Sequence, residues 1–340
     1  MSIPPLLDEL LRAPGASGHE DAVQAIVRRE AAAFGAEVER DVFGTTVATI
    51  RGSAGRLITF VAHADQVGFF VRGADENGLL TIARASRWKP EGAWRQRVRI
   101  GTADGELRGV VTGEWGTRGP TWESMRVDIG AATGEEALSL VCPGDPIVLA
   151  GAPEELLNGR VISAALDDRA GVYASLEALR RLAARPAAWD VAVLVSTQEE
   201  SGSYPGATTA VHRTSPDVAI VVEVTYASGV PGVPAWGDVR LGGGPAIARI
   251  PVISPLVSAG LISTAKAEGI PFSVETGSET WSDADGLSMA GDGIACGMVS
   301  IPLRYMHSAG EIAHLADIEA ASSLIEAYAR SLTADSSFLR

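Results

Sequence analysis

The residues of this chain that could do chemistry are histidines and carboxylates set beside short apolar runs. Six of them form one candidate set: His63, Asp167, Glu199, Glu200, Glu223 and His307. Imidazole and carboxylate ligands suit zinc, cobalt or manganese, whereas iron–sulfur clusters and many structural zinc sites require thiolates. The chain has only two cysteines, Cys142 and Cys296, and they are far apart. The set therefore predicts a hydrolytic site for divalent cations, with one carboxylate to spare.

All six residues fall at the ends of predicted strands or at the start of a helix. His63 ends LITFVA, the Glu199-Glu200 pair follows DVAVLVSTQ, and His307 follows IPLRYM. In open α/β sheets, ligands bind outside the carboxyl ends of the parallel strands. We therefore expect these side chains to meet at one edge of a single sheet.

Each residue also has an ordinary structural explanation when it is taken alone. His63 could be a buried core histidine, Asp167 a helix cap and His307 a solvated loop residue. Glu223 is different, because it interrupts the apolar strand AIVVEV, where a carboxylate is costly unless it is paired or binds a metal. Asp65 lies two residues after His63 and is expected to fix the orientation of its imidazole.

Helices are predicted near both ends of the chain, before and after the six candidate residues. The segment PLLDELLRA predicts a first helix, and Ser17 to Glu20 has the spacing of a capping box ahead of a second. The segment DIEAASSLIEAYARSL predicts the last helix, with Asp317 as its cap.

The pattern between these ends changes near residues 67 and 158. From 67 to 157, short strands such as FFVRGA, RVRIG and DPIVLA recur between turns, which predicts a small β-barrel. After 158, apolar strands alternate with helices, which predicts a mixed, largely parallel α/β sheet with helices on both faces. We therefore expect an α/β domain from residues 1–66 and 158–340, with the barrel of 67–157 inserted between its halves.

The composition and charge of the chain argue against some classes of function. The chain has 340 residues, of which 46% are hydrophobic and 21% charged, and its net charge of −14 argues against nucleic acid as a partner. No basic N-terminal region precedes a long apolar run, and no stretch has the length of a membrane span. These features predict a cytoplasmic protein that has no membrane partner, and two unclustered cysteines agree with a reducing compartment.

The chain resembles the tetrahedral, or glutamyl-aminopeptidase-type, family of dinuclear metallopeptidases. The phrases that carry the resemblance run in order along nearly the whole chain: APGASGHED, FVAHADQVGFFV, VDIGAATGEEA, ALDDRAG, STQEESG, VVEVT, GGGPAI and IPLRYMHSAGE. The resemblance implies a zinc-peptidase-like catalytic domain with an inserted barrel or PDZ-like domain used in oligomerisation. It also implies removal of N-terminal residues from short peptides by a homo-oligomer that builds from dimers to a dodecamer.

The resemblance also implies a role for each residue of the set. Two divalent ions per subunit, zinc first with cobalt or manganese as alternatives, would be the cofactors. One ion would take His63 and Glu223, the other Glu200 and His307, and Asp167 would bridge them. Asp168 would follow the bridging ligand in a strained peptide without binding metal.

Further roles fall to residues near the ligands. Glu199 would be the general base and Asp65 would orient a metal ligand. Asp283 and Tyr204 would contact substrate, within the loops TWSDADG and GSYPGA, which depart from the usual family phrases. A third departure is Glu223, which stands where the family usually has aspartate.

Three other functions stay open at this point. The same metals could serve deacylation of N-blocked amino acids. A glycoside hydrolase would need two carboxylates and no metal, and would leave both histidines unexplained. A catalytically silent scaffold would have no need of Glu199.

Overall fold

The computed structural model describes residues 2–113, 119–233 and 236–340. The helices in these ranges are α1 (Pro5–Arg12), α2 (Asp21–Ala33), α3 (Gly134–Leu140), α4 (Leu166–Ala184), α5 (Pro205–Thr214), α6 (Pro255–Glu268), α7 (Asp283–Leu287) and α8 (Leu315–Ser331). The strands are β1 (Glu37–Arg40), β2 (Thr46–Ile50), β3 (Leu57–His63), β4 (Gly68–Ala74), β5 (Leu80–Arg84), β6 (Arg97–Thr102), β7 (Gly105–Thr112), β8 (Arg126–Asp128), β9 (Pro146–Leu149), β10 (Glu154–Leu156), β11 (Arg160–Ser163), β12 (Asp190–Ser196), β13 (Val218–Tyr226), β14 (Ala246–Ala248), β15 (Ser273–Glu275), β16 (Ala295–Leu303) and β17 (Glu311–His314).

An eight-stranded sheet organises the α/β part, in the order β1-β2-β12-β3-β13-β16-β14-β15. Its four central strands, β12, β3, β13 and β16, are mutually parallel, and β14 and β15 pair in parallel at one edge. The other neighbours pair antiparallel. The predicted fold class, a mixed and largely parallel α/β sheet, is confirmed.

Helices cover both faces of this sheet because successive side chains of a buried strand point to opposite faces. In β12, Val191, Val193 and Val195 pack into the core that holds α1, α2, α4, α6 and α8. Ala192 and Leu194 pack into a second core, with α5 and α7. The apolar runs of the sequence therefore become central strands buried on both sides.

A closed six-stranded barrel forms from β4, β5, β8, β7, β6 and β9, as the strand-rich segment predicted. Its core contains Phe69, Ile100 and Ile147, all fully buried. The prediction missed α3 in this segment. The Thr133 hydroxyl caps the helix by accepting from the N–H of Glu136, and the Glu136 carboxylate accepts from the N–H of Ala132, the residue before the cap.

Two predicted helix caps are wrong. Helix α2 begins at Asp21 without a side-chain cap; the Ser17 hydroxyl instead donates to Asp65, and the Glu20 carboxylate accepts from the N–H groups of Gly18 and Gln198. Helix α8 is capped by His314, while Asp317 accepts from backbone N–H groups at 242 and 244. Ser17 and Asp317, the two predicted caps, instead make tertiary contacts, which the local sequence spacing does not reveal.

Within residues 2–113, 119–233 and 236–340, no helix combines the length and the apolar character needed to cross a bilayer.

Candidate metal centre

The central strands bring His63 and Glu223 side by side. His63 ends β3, and Glu223 lies two residues beyond Val221, the partner of Val61 in β3. Ser196, the last residue of β12, is the register partner of His63, and Ser300 of β16 is the partner of Glu223. Polar side chains thus form one row across the carboxyl ends of four parallel strands, at the edge where the sequence predicted the site.

A buried aspartate, Asp65, holds the turn that carries Glu199 and Glu200. The N–H of Glu199 donates to one Asp65 oxygen at 3.0 Å and the N–H of Glu200 to the other at 3.1 Å. The Ser17 hydroxyl adds a third donor at 2.6 Å. His63 Nδ1 lies 3.1 Å from the backbone oxygen of Asp65 and 3.4 Å from its carboxylate. One side chain therefore positions both glutamates and sits beside the imidazole.

The two oxygens of Asp167 face the two histidines. Oδ1 lies 3.1 Å from His63 Nε2 and Oδ2 lies 3.1 Å from His307 Nε2. The peptide between Asp167 and Asp168 is cis. Both oxygens of Asp168 accept backbone N–H groups, from His63 and from Gly171. Asp167 thus occupies the middle of the site, whereas Asp168 is used by the backbone.

Each of the remaining carboxylates lies near one of the two histidines. Glu223 Oε1 lies 3.6 Å from His63 Nε2, and Glu200 Oε1 lies 3.5 Å from His307 Nε2. Glu199 Oε2 is 3.8 Å from His63 Nε2. All six residues of the sequence-predicted set therefore lie together, and we refer to them as the His–carboxylate cluster: His63, Asp167, Glu199, Glu200, Glu223 and His307.

Burial makes the cluster electrostatically unusual. It raises the pKa of Glu199 well above its ordinary value and that of Glu200 to about 8, although the neighbouring histidines oppose the shift. Burial alone would lower the pKa of both histidines. The carboxylates reverse this, so that the pKa of His63 is raised well above its usual value and that of His307 to about 10. Four buried acids face two imidazoles, an excess of negative charge that favours bound cations.

The donor set fits divalent metals. Ligand atoms of His63, Asp167 and Glu200 lie within 4.8 Å of one another, as do those of His63, Asp168 and Glu223. Glu200 Oε1 is buried and has no hydrogen-bond partner among the described residues. Mixed imidazole and carboxylate donors suit hydrolytic metals such as zinc. The group of His63, Asp167 and Glu200, all members of the cluster, could therefore hold a cation without rearranging the fold.

Sequence reasoning missed Glu311, which joins two separate parts of the cluster. Its carboxylate accepts from the N–H of Asp167 at 3.1 Å and from the N–H of His307 at 2.8 Å. The side chain is buried, and burial followed by the charge of Asp167 raises its pKa to about 8. Its only sequence signal is its place four residues after His307, within MHSAGE.

The two predicted substrate residues flank the cluster. Asp283 is buried; one of its oxygens accepts from the Ser196 hydroxyl at 2.5 Å, and the other has no partner among the described residues. Burial raises the pKa of Asp283 to about 7. Tyr204 is half-buried beside Gly286 of α7, and burial and then Glu199 raise the pKa of its phenol.

Comparisons with known proteins found a matching family and similar solved structures. Residues 44–324 match the family described as M42 glutamyl aminopeptidase. A lysyl aminopeptidase from Pyrococcus furiosus is 32% identical, over 95% of each chain. The solved structure of an aminopeptidase from the archaeon Desulfurococcus kamchatkensis is similar at a TM-score of 0.91 and 32% identity, over 97% of this chain and 95% of that one. The TET1 peptidase of Pyrococcus horikoshii, which can assemble into a tetrahedron or a large octahedral shell, is similar at a TM-score of 0.86 and 28% identity, over 96% and 99%.

Proposed function

From the premise that this chain belongs to the M42 glutamyl aminopeptidase family and is a peptide hydrolase, we propose that it removes N-terminal residues from short peptides at the His–carboxylate cluster. The observation that carries the proposal is the placement of Asp167, whose two oxygens lie 3.1 Å from one histidine each. A carboxylate in this position is suited to bridge two cations.

The distances between the side chains assign the proposed ligands to two metal ions. His63 and Glu223 would hold one divalent ion and His307 and Glu200 the other, with Asp167 between them. Two such ions, when bound, would supply Lewis acidity toward the scissile carbonyl and lower the pKa of the attacking water. Zinc is the proposed ion, and cobalt and manganese suit the same donors.

Glu199 is the proposed general base. Its Oε2 is 3.8 Å from His63 Nε2, the longest of these contacts. Burial keeps its pKa high, which suits a carboxylate that takes a proton from water and returns it to the leaving amine. Asp65 would act on this base through the backbone, because it accepts from the N–H of Glu199.

We also propose that two parts of the chain have different functions. Residues 1–66 and 158–340 would form the catalytic unit, and the barrel of 67–157 would serve assembly. The support is the closed barrel and the similarity to the TET1 peptidase, which itself assembles into large shells. The proposed state is a homo-oligomer built from dimers to a dodecamer, which mass measurement in solution would test.

A panel of aminoacyl p-nitroanilides, assayed with defined metals and after chelation, tests the proposed activity. We expect hydrolysis that chelation abolishes and that added zinc, cobalt or manganese restores. Parallel assays on N-acetyl amino acids measure deacylation. Turnover of acetylated substrates alone would refute the aminopeptidase proposal, and undiminished activity after complete metal removal would refute the role of the cluster.

A further inference from the structure

The open side of the His–carboxylate cluster faces a loop of the barrel. The His307 side chain is 24% exposed, whereas that of His63 is 2% exposed, so solvent reaches the site from the His307 side. The loop between β5 and β6 packs there in two places. The N–H of Arg87 donates to the carbonyl of Glu200 at 3.4 Å, and a side chain at Gly92 would collide with the carbonyl oxygen of His307.

Arg87 places a positive charge at this opening. Its guanidinium lies over Gly202, the residue that ends the turn carrying the glutamates; a Cβ atom there would be 3.4 Å from Arg87 Nε and 3.5 Å from Cζ. The side chain is exposed, and no carboxylate of the described residues forms an ion pair with it. Arginine presents several N–H donors in a planar fork that matches a carboxylate.

We propose that Arg87 binds the C-terminal carboxylate of short peptide substrates. The inference rests on the proposed aminopeptidase function. It adds the substrate class that this opening favours, short peptides with a free C-terminal carboxylate. A free peptide carries an amine at one end and a carboxylate at the other. The site offers the matching polarity, with buried acids inside and, at the rim, the Arg87 guanidinium, which forms no ion pair with a carboxylate of the described residues.

The contacts of Arg87 place it next to the turn that carries Glu199 and Glu200, which favours short peptides. Arg87 is hydrogen bonded through its backbone to Glu200, and its guanidinium covers a residue only two positions further on. An extended peptide spans about 3.3–3.6 Å per residue, so three residues reach roughly 10 Å. In a longer peptide the C-terminal carboxylate would lie beyond Arg87, and the benefit of the contact would be lost.

The test compares substrates that differ only in the carboxylate. Wild type, Arg87→Ala and Arg87→Lys would be assayed on Leu-Ala-Ala, its C-terminal amide and Leu p-nitroanilide. We expect Arg87→Ala to raise KM for the free acid about tenfold, which corresponds to about 1.4 kcal/mol, with kcat nearly unchanged. The amide and the nitroanilide should keep their wild-type KM, and Arg87→Lys should retain part of the preference.

Lys89→Ala is the matched control, because Lys89 is another exposed cation of the same loop. It should leave KM unchanged for all three substrates. An equal change for acid and amide, or no change in Arg87→Ala, would overturn the proposal. So would an Arg87-dependent preference that appears only for Leu-Asp-Ala amide, since that result would assign the contact to an acidic side chain. Failure of the wild type on every substrate would instead refute the proposed function.

Discussion

Glu311 offers a sharp test of how the metal ligands are positioned. Its carboxyl group accepts from two backbone N–H groups, those of Asp167 and His307, which are far apart in the sequence. Since the pKa of Glu311 is about 8, each hydrogen bond near pH 7 contributes about 0.5–1.5 kcal/mol, and a buried donor left unpaired costs about 1–3 kcal/mol. The cost of burying the Glu311 carboxyl group offsets part of the stability that these hydrogen bonds contribute. We therefore expect Glu311→Ala to lower the free energy of unfolding by about 2–4 kcal/mol.

The same change should weaken metal binding about 10–100-fold, because partners that orient ligands affect affinity on that scale. Chemical denaturation of the metal-free protein and calorimetric zinc titration measure the two effects separately. Glu311→Gln keeps one acceptor oxygen and should fall between wild type and Glu311→Ala in both assays.

Glu76→Ala is the control for loss of an acid, since Glu76 is exposed in a barrel turn. It should match wild type in both measurements. Zinc affinity unchanged in Glu311→Ala would refute the positioning argument even if the variant is less stable.

Two further predictions concern the acids around the cluster. Glu199→Gln should keep its bound metal but lose about 10²–10⁴-fold in kcat on Leu p-nitroanilide, because the proton acceptor is gone; unchanged turnover with wild-type metal content would rule out the base assignment. The pKa of Asp283 rises from 3.8 to about 7 on folding, so its contribution to stability is complete below pH 3.8 and is lost as pH rises through about 7. Denaturation of the metal-free protein across that range should show a shallower fall in stability for Asp283→Asn than for wild type, and identical slopes would contradict the shift.

The parts of the site that follow from strand ends could be predicted from sequence. His63 and Glu223 each lie in an apolar run long enough to form a central strand, and parallel strands must bring their carboxyl ends to one edge. The sequence therefore determines which side chains meet. The same reasoning locates the Glu199-Glu200 turn, since it follows β12 directly.

The supporting contacts could not be predicted, because they depend on how loops approach one another. Ser17 has the spacing of a helix cap, yet its hydroxyl donates to Asp65, 48 residues away. Glu311 has no local feature that identifies its two backbone partners. Thr133 shows the opposite case: its cap and the Glu three residues later are visible in the sequence, but the surrounding strand pattern obscured a helix of seven residues.

Metal stoichiometry measured together with activity tests the central claim most directly. Chelated protein would be titrated with zinc while bound metal and Leu p-nitroanilide hydrolysis are followed in the same samples. We expect hydrolysis to rise with added zinc and to reach its plateau at two ions per chain. Full activity without metal, or a plateau at two bound ions with no peptidase turnover, would contradict the account.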